Sequence, residues 1–140
     1  GRRLNDSMGP YVADQVSKLM TRKRIHVVDA NILIMGLTFK ENCPDIRNTR
    51  VIDLVKEFEG FNCNVDVYDP WVNKNEAVQE YNVKPIDMPI KNKYDAIIIA
   101  VPHEEFKMLT AKEIHSYGRG NHVLYDIKYL LKASESDGRL

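Results

Sequence analysis

The residues best suited to chemistry in this 140-residue chain are basic and aromatic side chains beside predicted strand ends. Phe39, Lys40 and Arg47 follow the first predicted strand, and Lys128 follows the last one. An ammonium group can act as a point charge on a phosphate or a sugar carboxylate, whereas a guanidinium can bind a phosphate in bidentate fashion. These residue types predict a site for a planar group that carries phosphates.

The turn after the first predicted strand lacks both common glycine-rich phosphate-binding motifs. A dinucleotide-binding turn has the pattern G-x-G-x-x-G, and this turn offers only Gly36. The P-loop pattern G-x-x-x-x-G-K-[ST] is absent as well. We therefore expect that neither NAD nor a nucleoside triphosphate binds at this turn in the usual way. A cation, Lys40, stands where the glycines would be.

The cysteines and histidines do not show the spacing of a metal site or of an activated nucleophile. Cys43 and Cys63 have no metal-ligand spacing around them, and no base at a clear spacing activates Cys43 as a nucleophile. His103 either titrates near neutral pH or has a structural role, which is the more common case. Asp69 either ends a strand or accepts hydrogen bonds from a ligand. We predict no metal site and no catalytic residue in this chain.

The elements that must position these residues alternate along the chain. Strands are predicted at residues 32–37, 65–68, 94–101 and 122–126, and helices at 51–60, 75–81 and 106–117. Because the connections are too long for hairpins, they imply right-handed crossovers and a parallel sheet. The fold class is α/β, a Rossmann-like doubly wound parallel sheet, with Asp45 or Asn48 as the N-cap of the helix at 51–60.

The chain divides into three predicted parts. Residues 1–28 carry apolar positions with a period close to 3.6, which is typical of an amphipathic helix. This helix either lies on the domain or is the C-terminal part of a helix that connects to a preceding domain. Residues 29–132 form the binding domain, and the Ser-rich, charged residues 133–140 are expected to be a flexible tail.

The overall composition narrows the class of protein. The sequence has 20 basic and 20 acidic residues, so no net charge attracts nucleic acid or a membrane surface. No apolar run approaches the ~20 residues that span a bilayer. Only two cysteines are present, which favours a reduced, cytoplasmic location. The first residues are already helix-like, and we expect the chain to be a piece of a longer protein.

Several motifs together resemble one family. They are GRRLNDSM at 1–8, GLTFKEN at 36–42, PDIRNT at 44–49, VYDP at 67–70, YDAI at 94–97 and YDIK at 125–128. The chain resembles the C-terminal domain of the UDP-glucose/GDP-mannose dehydrogenase family. It is most similar to the branch that oxidises UDP-N-acetylhexosamines for surface polysaccharides (the Vi-antigen type). The turn with Phe and Lys, followed by D-x-R, is its most specific feature.

The resemblance implies a three-part enzyme. An N-terminal Rossmann domain holds NAD, a central helix forms a homodimer, and the C-terminal domain holds the UDP part of the sugar substrate. By this resemblance Phe39, Lys40 and Lys128 contact the substrate, and Arg47 reaches NAD across the cleft. In the glucose-oxidising branch of the family, this position is commonly Arg. This chain has Lys128 instead, so a bidentate contact is not expected there.

The resemblance also implies the reaction and its limits. Two hydride transfers to NAD convert the C6 alcohol of the sugar to a carboxylate through a cysteine-linked thiohemiacetal. The catalytic cysteine belongs to the part of the family's chain that precedes Gly1, so this chain alone is expected to be inactive. Two binding-only alternatives are a phospho-receiver domain and a free-standing NAD(P) domain. The first lacks its acidic pair after the first strand, and the second lacks its glycines.

Overall fold

Helices and strands alternate through residues 8–140, which are the part of the chain that the computed structural model describes. The strands are β1 (Asn31–Met35), β2 (Asn64–Tyr68), β3 (Tyr94–Ile99), β4 (Gly118–Asp126) and β5 (Gly138–Arg139). The α-helices are α1 (Met8–Arg22), α2 (Val51–Gly60), α3 (Lys74–Tyr81), α4 (Glu104–Lys107) and α5 (Ala111–His115), and a 3-10 turn covers Ala133–Glu135.

The strands form one parallel sheet in the order β2-β1-β3-β4-β5. From β1 the chain first moves outward to β2 and then crosses back to place β3 on the other side of β1. The strand order therefore reverses between β1 and β3, which is where ligands bind in open α/β sheets. The predicted doubly wound parallel fold is confirmed.

Helices cover both faces of the sheet. Successive strand residues point to opposite sides, so each face presents its own set of side chains. Ile32 and Ile34 of β1 pack under α1 and α2, whereas Leu33 and Met35 pack with Phe106 of α4 on the other face. All six residues of β3 are buried. A strand buried on both faces reads as a continuous apolar run, which is why β1 and β3 are the easiest strands to predict.

Helix α1 packs directly on α2. Its residues Val12, Val16 and Met20 are fully buried against the sheet and its neighbouring helix. The two helices approach each other closely at Gly9, where a Cβ atom would lie 2.9 Å from the backbone of Asp53. The helix therefore belongs to the packed core, and this packing is compatible with either predicted role. Residues 1–7, which include part of the predicted connecting helix, lie outside the described residues.

The C-terminal residues differ from the prediction. Residues 133–140 were expected to form a flexible tail, but Gly138–Arg139 pair in parallel with Tyr125–Asp126 as a fifth strand. The Asp137 carboxylate accepts hydrogen bonds from the Leu124 N–H at 2.7 Å and from Lys23 Nζ at 2.8 Å. A polar composition does not show that a distant lysine and a strand edge supply partners, so the pairing of this segment with β4 was not predicted.

The remaining helices are short. The predicted helix at 106–117 is two helices, since Thr110 begins α5 with a capping box to Glu113. The longest described helix, α1, has 15 residues. Within residues 8–140, no helix has the length and apolar character needed to cross a bilayer.

Candidate functional site

The turn after β1 begins at Gly36, which has a backbone conformation that other residues rarely adopt. Its φ is +105°, and a Cβ atom there would lie 2.6 Å from Cβ of Val101. The Gly36 N–H donates to the Tyr68 carbonyl at 2.8 Å. The glycine therefore lets the turn pass closely over the end of β3. The Val101 side chain fills the space beside Gly36.

Asp69, at the end of β2, holds this turn in place. Its Oδ2 accepts the N–H groups of Leu37 at 2.7 Å and Thr38 at 3.0 Å, and its Oδ1 accepts the Trp71 N–H at 2.7 Å. Burial by itself raises the pKa of Asp69, but the hydrogen bonds from His103, Leu37 and Thr38 outweigh it and leave the pKa below its ordinary value. Asp69 is a structural anchor.

His103 completes this anchor from the loop after β3. Its side chain is fully buried, and its Nε2 lies 2.9 Å from Oδ2 of Asp69. Its Nδ1 accepts the Asn42 N–H at 3.0 Å, so in the neutral ring Nε2 carries the proton and donates it to Asp69. The structural alternative for His103 is therefore the one that the geometry supports.

The far end of the turn is fixed by Thr49. Its hydroxyl donates to the Leu37 carbonyl at 2.6 Å and accepts the Val51 N–H at 3.2 Å, which joins the end of β1 to the start of α2. Asp45 and Asn48 were predicted as N-caps, and neither side chain caps the helix. Asp45 instead accepts hydrogen bonds from Arg47, and Asn48 adopts a left-handed conformation with φ +64°.

A cavity of about 430 Å³ opens at the carboxyl ends of β1, β3 and β4. Its volume is within the usual range for small-molecule sites. The turn after β1 and the start of α2 line one side, Ala100 and Val101 after β3 form the middle, and Ile127 and Lys128 after β4 line the other side. The cavity therefore lies at the reversal of strand order.

Two of the four predicted site residues line this cavity. Phe39 has 51% of its surface exposed, which leaves its ring available to a planar ligand. Lys128 is exposed and forms no ion pair with another described residue. The structure thus brings together a residue from the first turn and one from the last strand, which are 89 positions apart in the sequence.

The other two predicted residues lie outside the cavity lining. Lys40 is exposed on the turn. Arg47 has 84% of its side chain exposed and binds Asp45 in bidentate fashion, with Nε–Oδ1 at 3.0 Å and Nη2–Oδ2 at 3.2 Å. The hydrogen bond from Arg47 lowers the pKa of Asp45. Both cations are therefore exposed to solvent, and neither lines the cavity.

Sequence reasoning missed Arg50 and Asn48, which also line the cavity. Both lie in the irregular segment before α2, where no periodic pattern shows which way a side chain points. The signal that could have found them is the loss of helical periodicity between Pro44 and Val51. That irregularity places several consecutive residues at one strand end.

Asp69 also bears on the phospho-receiver alternative. A phospho-acceptor carboxylate must be accessible, but Asp69 is only 4% exposed and accepts four hydrogen bonds. Asp126, at the end of β4, is likewise buried and accepts the N–H groups of Leu130 and Leu131. Neither carboxylate is available to a ligand, which disfavours this alternative.

Cys63 does not have the environment of a nucleophile. Burial raises the pKa of the Cys63 thiol to about 11, and the thiol donates to the Val27 carbonyl at 3.2 Å. Cys43 is half-buried in the turn, and both thiols are free. Across residues 8–140 no three or more His, Cys, Asp or Glu side chains are grouped so that they could hold a metal ion.

A second cavity, of about 460 Å³, lies at the opposite edge of the sheet. Arg24, Asp29, Asp95 and Arg119 are among its lining residues. Asp95 accepts the Asn31 N–H at 2.8 Å and lies 3.5 Å from Arg119. Ligands of such sheets bind at the carboxyl ends of the strands, and this cavity is at the amino ends. We therefore take the 430 Å³ cavity as the candidate site.

The doubly wound sheet and a cationic cavity at its reversal point define a nucleotide-binding class of α/β domain. Residues 33–133 match the family described as the UDP-glucose/GDP-mannose dehydrogenase family, UDP binding domain. The chain belongs to this family.

Named relatives agree with the branch predicted from the motifs. The chain is 54% identical to a UDP-N-acetyl-D-glucosamine 6-dehydrogenase of Pseudomonas aeruginosa and 52% identical to one of Salmonella typhi, with 100% of this chain covered in both comparisons. It spans 33% of the length of each relative. A UDP-D-ManNAc dehydrogenase structure from Pyrococcus horikoshii has the same fold, with a TM-score of 0.79 and 24% identity over 99% of this chain and 31% of that one.

Proposed function

We propose that this chain is the substrate-nucleotide domain of an NAD-dependent UDP-sugar 6-dehydrogenase, with UDP-N-acetylglucosamine as the favoured substrate. The observation that carries the proposal is the cavity at the reversal point, which Phe39 and Lys128 both line. The family resemblance of the sequence independently predicts that both residues contact the substrate. The names of the relatives that cover the whole chain support the choice of sugar.

In this proposal the cavity holds the UDP part of the substrate. The Phe39 ring packs against a planar or apolar part of the ligand, and Lys128 places a positive charge beside the diphosphate. Lys40 extends beyond the cavity, where it meets the sugar between this domain and the rest of the enzyme. The complete site therefore needs a second domain, and we expect the isolated chain to bind UDP weakly.

The proposed cofactor is NAD, and the turn after β1 does not fit its pyrophosphate. Gly36 is the only glycine of the turn, and Val101 occupies the space above it. In the proposed enzyme the NAD domain lies elsewhere in the full-length protein, and Arg47 is the residue of this chain that reaches it. Bound nicotinamide would accept the hydride. A homodimer, a cytoplasmic location and a role in surface polysaccharide synthesis belong to the same proposal.

Titration of the 140-residue chain with UDP tests the proposal. We expect amide NMR shifts at Phe39, Val101 and Lys128, with an affinity in the high-micromolar to millimolar range. Lys128→Ala should weaken UDP binding, whereas Lys56→Ala, which removes an exposed lysine of α2, should not. Absence of shifts around the cavity, or NAD binding tighter than UDP binding, would contradict the proposal.

A further inference from the structure

The loop after β4 carries Lys128 at the candidate cavity, and a buried carboxylate closes this loop. Asp126, the last residue of β4, is fully buried. Its Oδ1 accepts the Leu130 N–H at 3.1 Å, and its Oδ2 accepts the Leu131 N–H at 2.8 Å. One side chain therefore ties the two ends of the loop together. Lys128 lies between these ends and lines the cavity.

Further contacts hold the loop on both sides of Lys128. The Ile127 N–H donates to the Ile99 carbonyl at 3.0 Å, which ties the residue before Lys128 to the end of β3. Ile127 is buried and lines the cavity, whereas Leu130 packs with the core on the other face of the sheet. The backbone at Lys128 is therefore ordered, although the lysine side chain is exposed.

The residue after Lys128 has a backbone conformation that few residues other than glycine adopt. Tyr129 has a φ of +56°, in the left-handed region. Its hydroxyl donates to the Leu140 carbonyl, and the Arg139 guanidinium lies 4.0 Å from the centre of its ring. Such a conformation costs free energy and persists only where the surrounding contacts hold it, which is typical of functional sites.

The two loops that supply Phe39 and Lys128 to the cavity are built alike. The turn with Phe39 is held by the buried carboxylate of Asp69, which accepts two of its backbone N–H groups. The loop with Lys128 is held by the buried carboxylate of Asp126, which also accepts two. In each case the carboxylate lies at the end of a strand and fixes a neighbouring side chain that faces the ligand site.

We propose that Asp126 is a positioning residue, which holds the loop so that Lys128 meets the diphosphate of the nucleotide. The inference rests on the proposed function, since it explains how one contact of the same site is made. An ordered loop loses less conformational entropy when the Lys128 ammonium group is immobilised on a phosphate. Asp126 itself contacts no ligand, because both of its oxygens are buried and hydrogen-bonded.

UDP titrations of four forms of the 140-residue chain test this inference: the wild type, Asp126→Asn, Lys128→Ala and the double variant. In Asp126→Asn an NH2 group replaces one acceptor oxygen, which loosens the loop. We expect this variant to weaken UDP binding by about three- to tenfold, the range that follows from ordering one side chain at an interface. Lys128→Ala should weaken binding at least as much, and the double variant no further than Lys128→Ala.

Tyr129→Gly is the second variant, and it decides the question if Asp126→Asn does not fold. Glycine adopts a positive φ readily and Tyr129 is 58% exposed, so the chain should fold while the loop gains conformational freedom. UDP binding should weaken by about two- to fivefold. This loss should also disappear in the Lys128→Ala background, which a general loss of stability would not explain.

Asp95→Asn is the matched control, because Asp95 is also nearly buried and accepts a backbone N–H, that of Asn31 at 2.8 Å, at the opposite edge of the sheet. It should lower stability and leave UDP affinity unchanged. If neither loop variant weakens UDP binding, or if their losses persist in the Lys128→Ala background, the inference is wrong and the proposed function stands. If the wild-type chain shows no UDP binding around the cavity, the proposed function itself fails.

Discussion

The carboxylate of Asp69 and the imidazole of His103 form a fully buried pair, with Oδ2 and Nε2 2.9 Å apart. The pair joins the end of β2 to the loop after β3. Two backbone N–H groups of the turn that carries Phe39 donate hydrogen bonds to the same Oδ2 atom of Asp69. The shape of the cavity therefore depends on residues that do not line it.

Replacing Asp69 with Asn should destabilise the chain and loosen the turn. The amide NH2 group must face at least one N–H donor, so the free energy of unfolding should fall by about 2–4 kcal/mol. UDP affinity should fall as well, because the turn is no longer anchored. Urea unfolding measures the first effect. Asp45→Asn, an exposed aspartate of the same turn, should destabilise much less; equal losses would contradict the anchoring role.

The lowered pKa of Asp69 predicts how stability depends on pH. A carboxyl group whose pKa is lower in the folded state stabilises the fold above its ordinary pKa, about 3.9, and loses this contribution as the pH falls through the lowered value. The difference in unfolding free energy between the wild type and Asp69→Asn should therefore be constant near neutral pH and shrink below about pH 4. A difference that does not change between pH 7 and pH 3 would refute this explanation.

The Asp137 carboxylate should anchor the C-terminal strand. Asp137→Ala removes the acceptor for the Leu124 N–H and for Lys23, so we expect a loss of about 1–2 kcal/mol and faster hydrogen exchange in β5. Asp14→Ala is the control, because Asp14 pairs with Lys18 on the exposed side of α1 and should change stability by less than about 0.5 kcal/mol. Similar losses in both variants would argue against an anchored strand.

The close contact between α1 and α2 makes Gly9 sensitive to a single methyl group. Gly9→Ala places a Cβ atom 2.9 Å from the backbone of Asp53 and Leu54, so the helices must separate, at a loss of about 1–3 kcal/mol. Gly60→Ala is the control, since no atom lies within 4 Å of its Cβ position. Thermal unfolding should show a lower Tm for the first variant only, and an unchanged Tm for Gly9→Ala would show that α1 does not pack this closely.

The two thiols should differ in reactivity. Cys63 is buried with a pKa raised to about 11, so little thiolate forms at pH 8, whereas Cys43 is partly exposed. Iodoacetamide should add one carbamidomethyl group to the folded chain, at Cys43, and a second only after unfolding. Peptide mapping that finds Cys63 modified first would contradict the buried environment.

The sequence by itself determined the fold class, because β1 and β3 are apolar on both faces and the connections between strands exclude hairpins. Through the family resemblance it also predicted Phe39, Lys40 and Lys128 as substrate contacts, and of these Phe39 and Lys128 line the cavity. The irregular segment before α2 gave no such information. A residue there has no fixed periodicity, so the sequence pattern does not show which of Arg47 and Arg50 lines the cavity.

Only the tertiary structure decided which side chains share the cavity. Phe39, Arg50 and Lys128 line one cavity because β3 lies between β1 and β4, an order that arises from long-range strand pairing and not from local propensity. The same long-range pairing orders residues 138–139, whose polar composition predicted a flexible tail. The local sequence pattern determines whether a segment can form a helix or a strand. The free energy of contacts between distant segments determines where that segment lies in the fold.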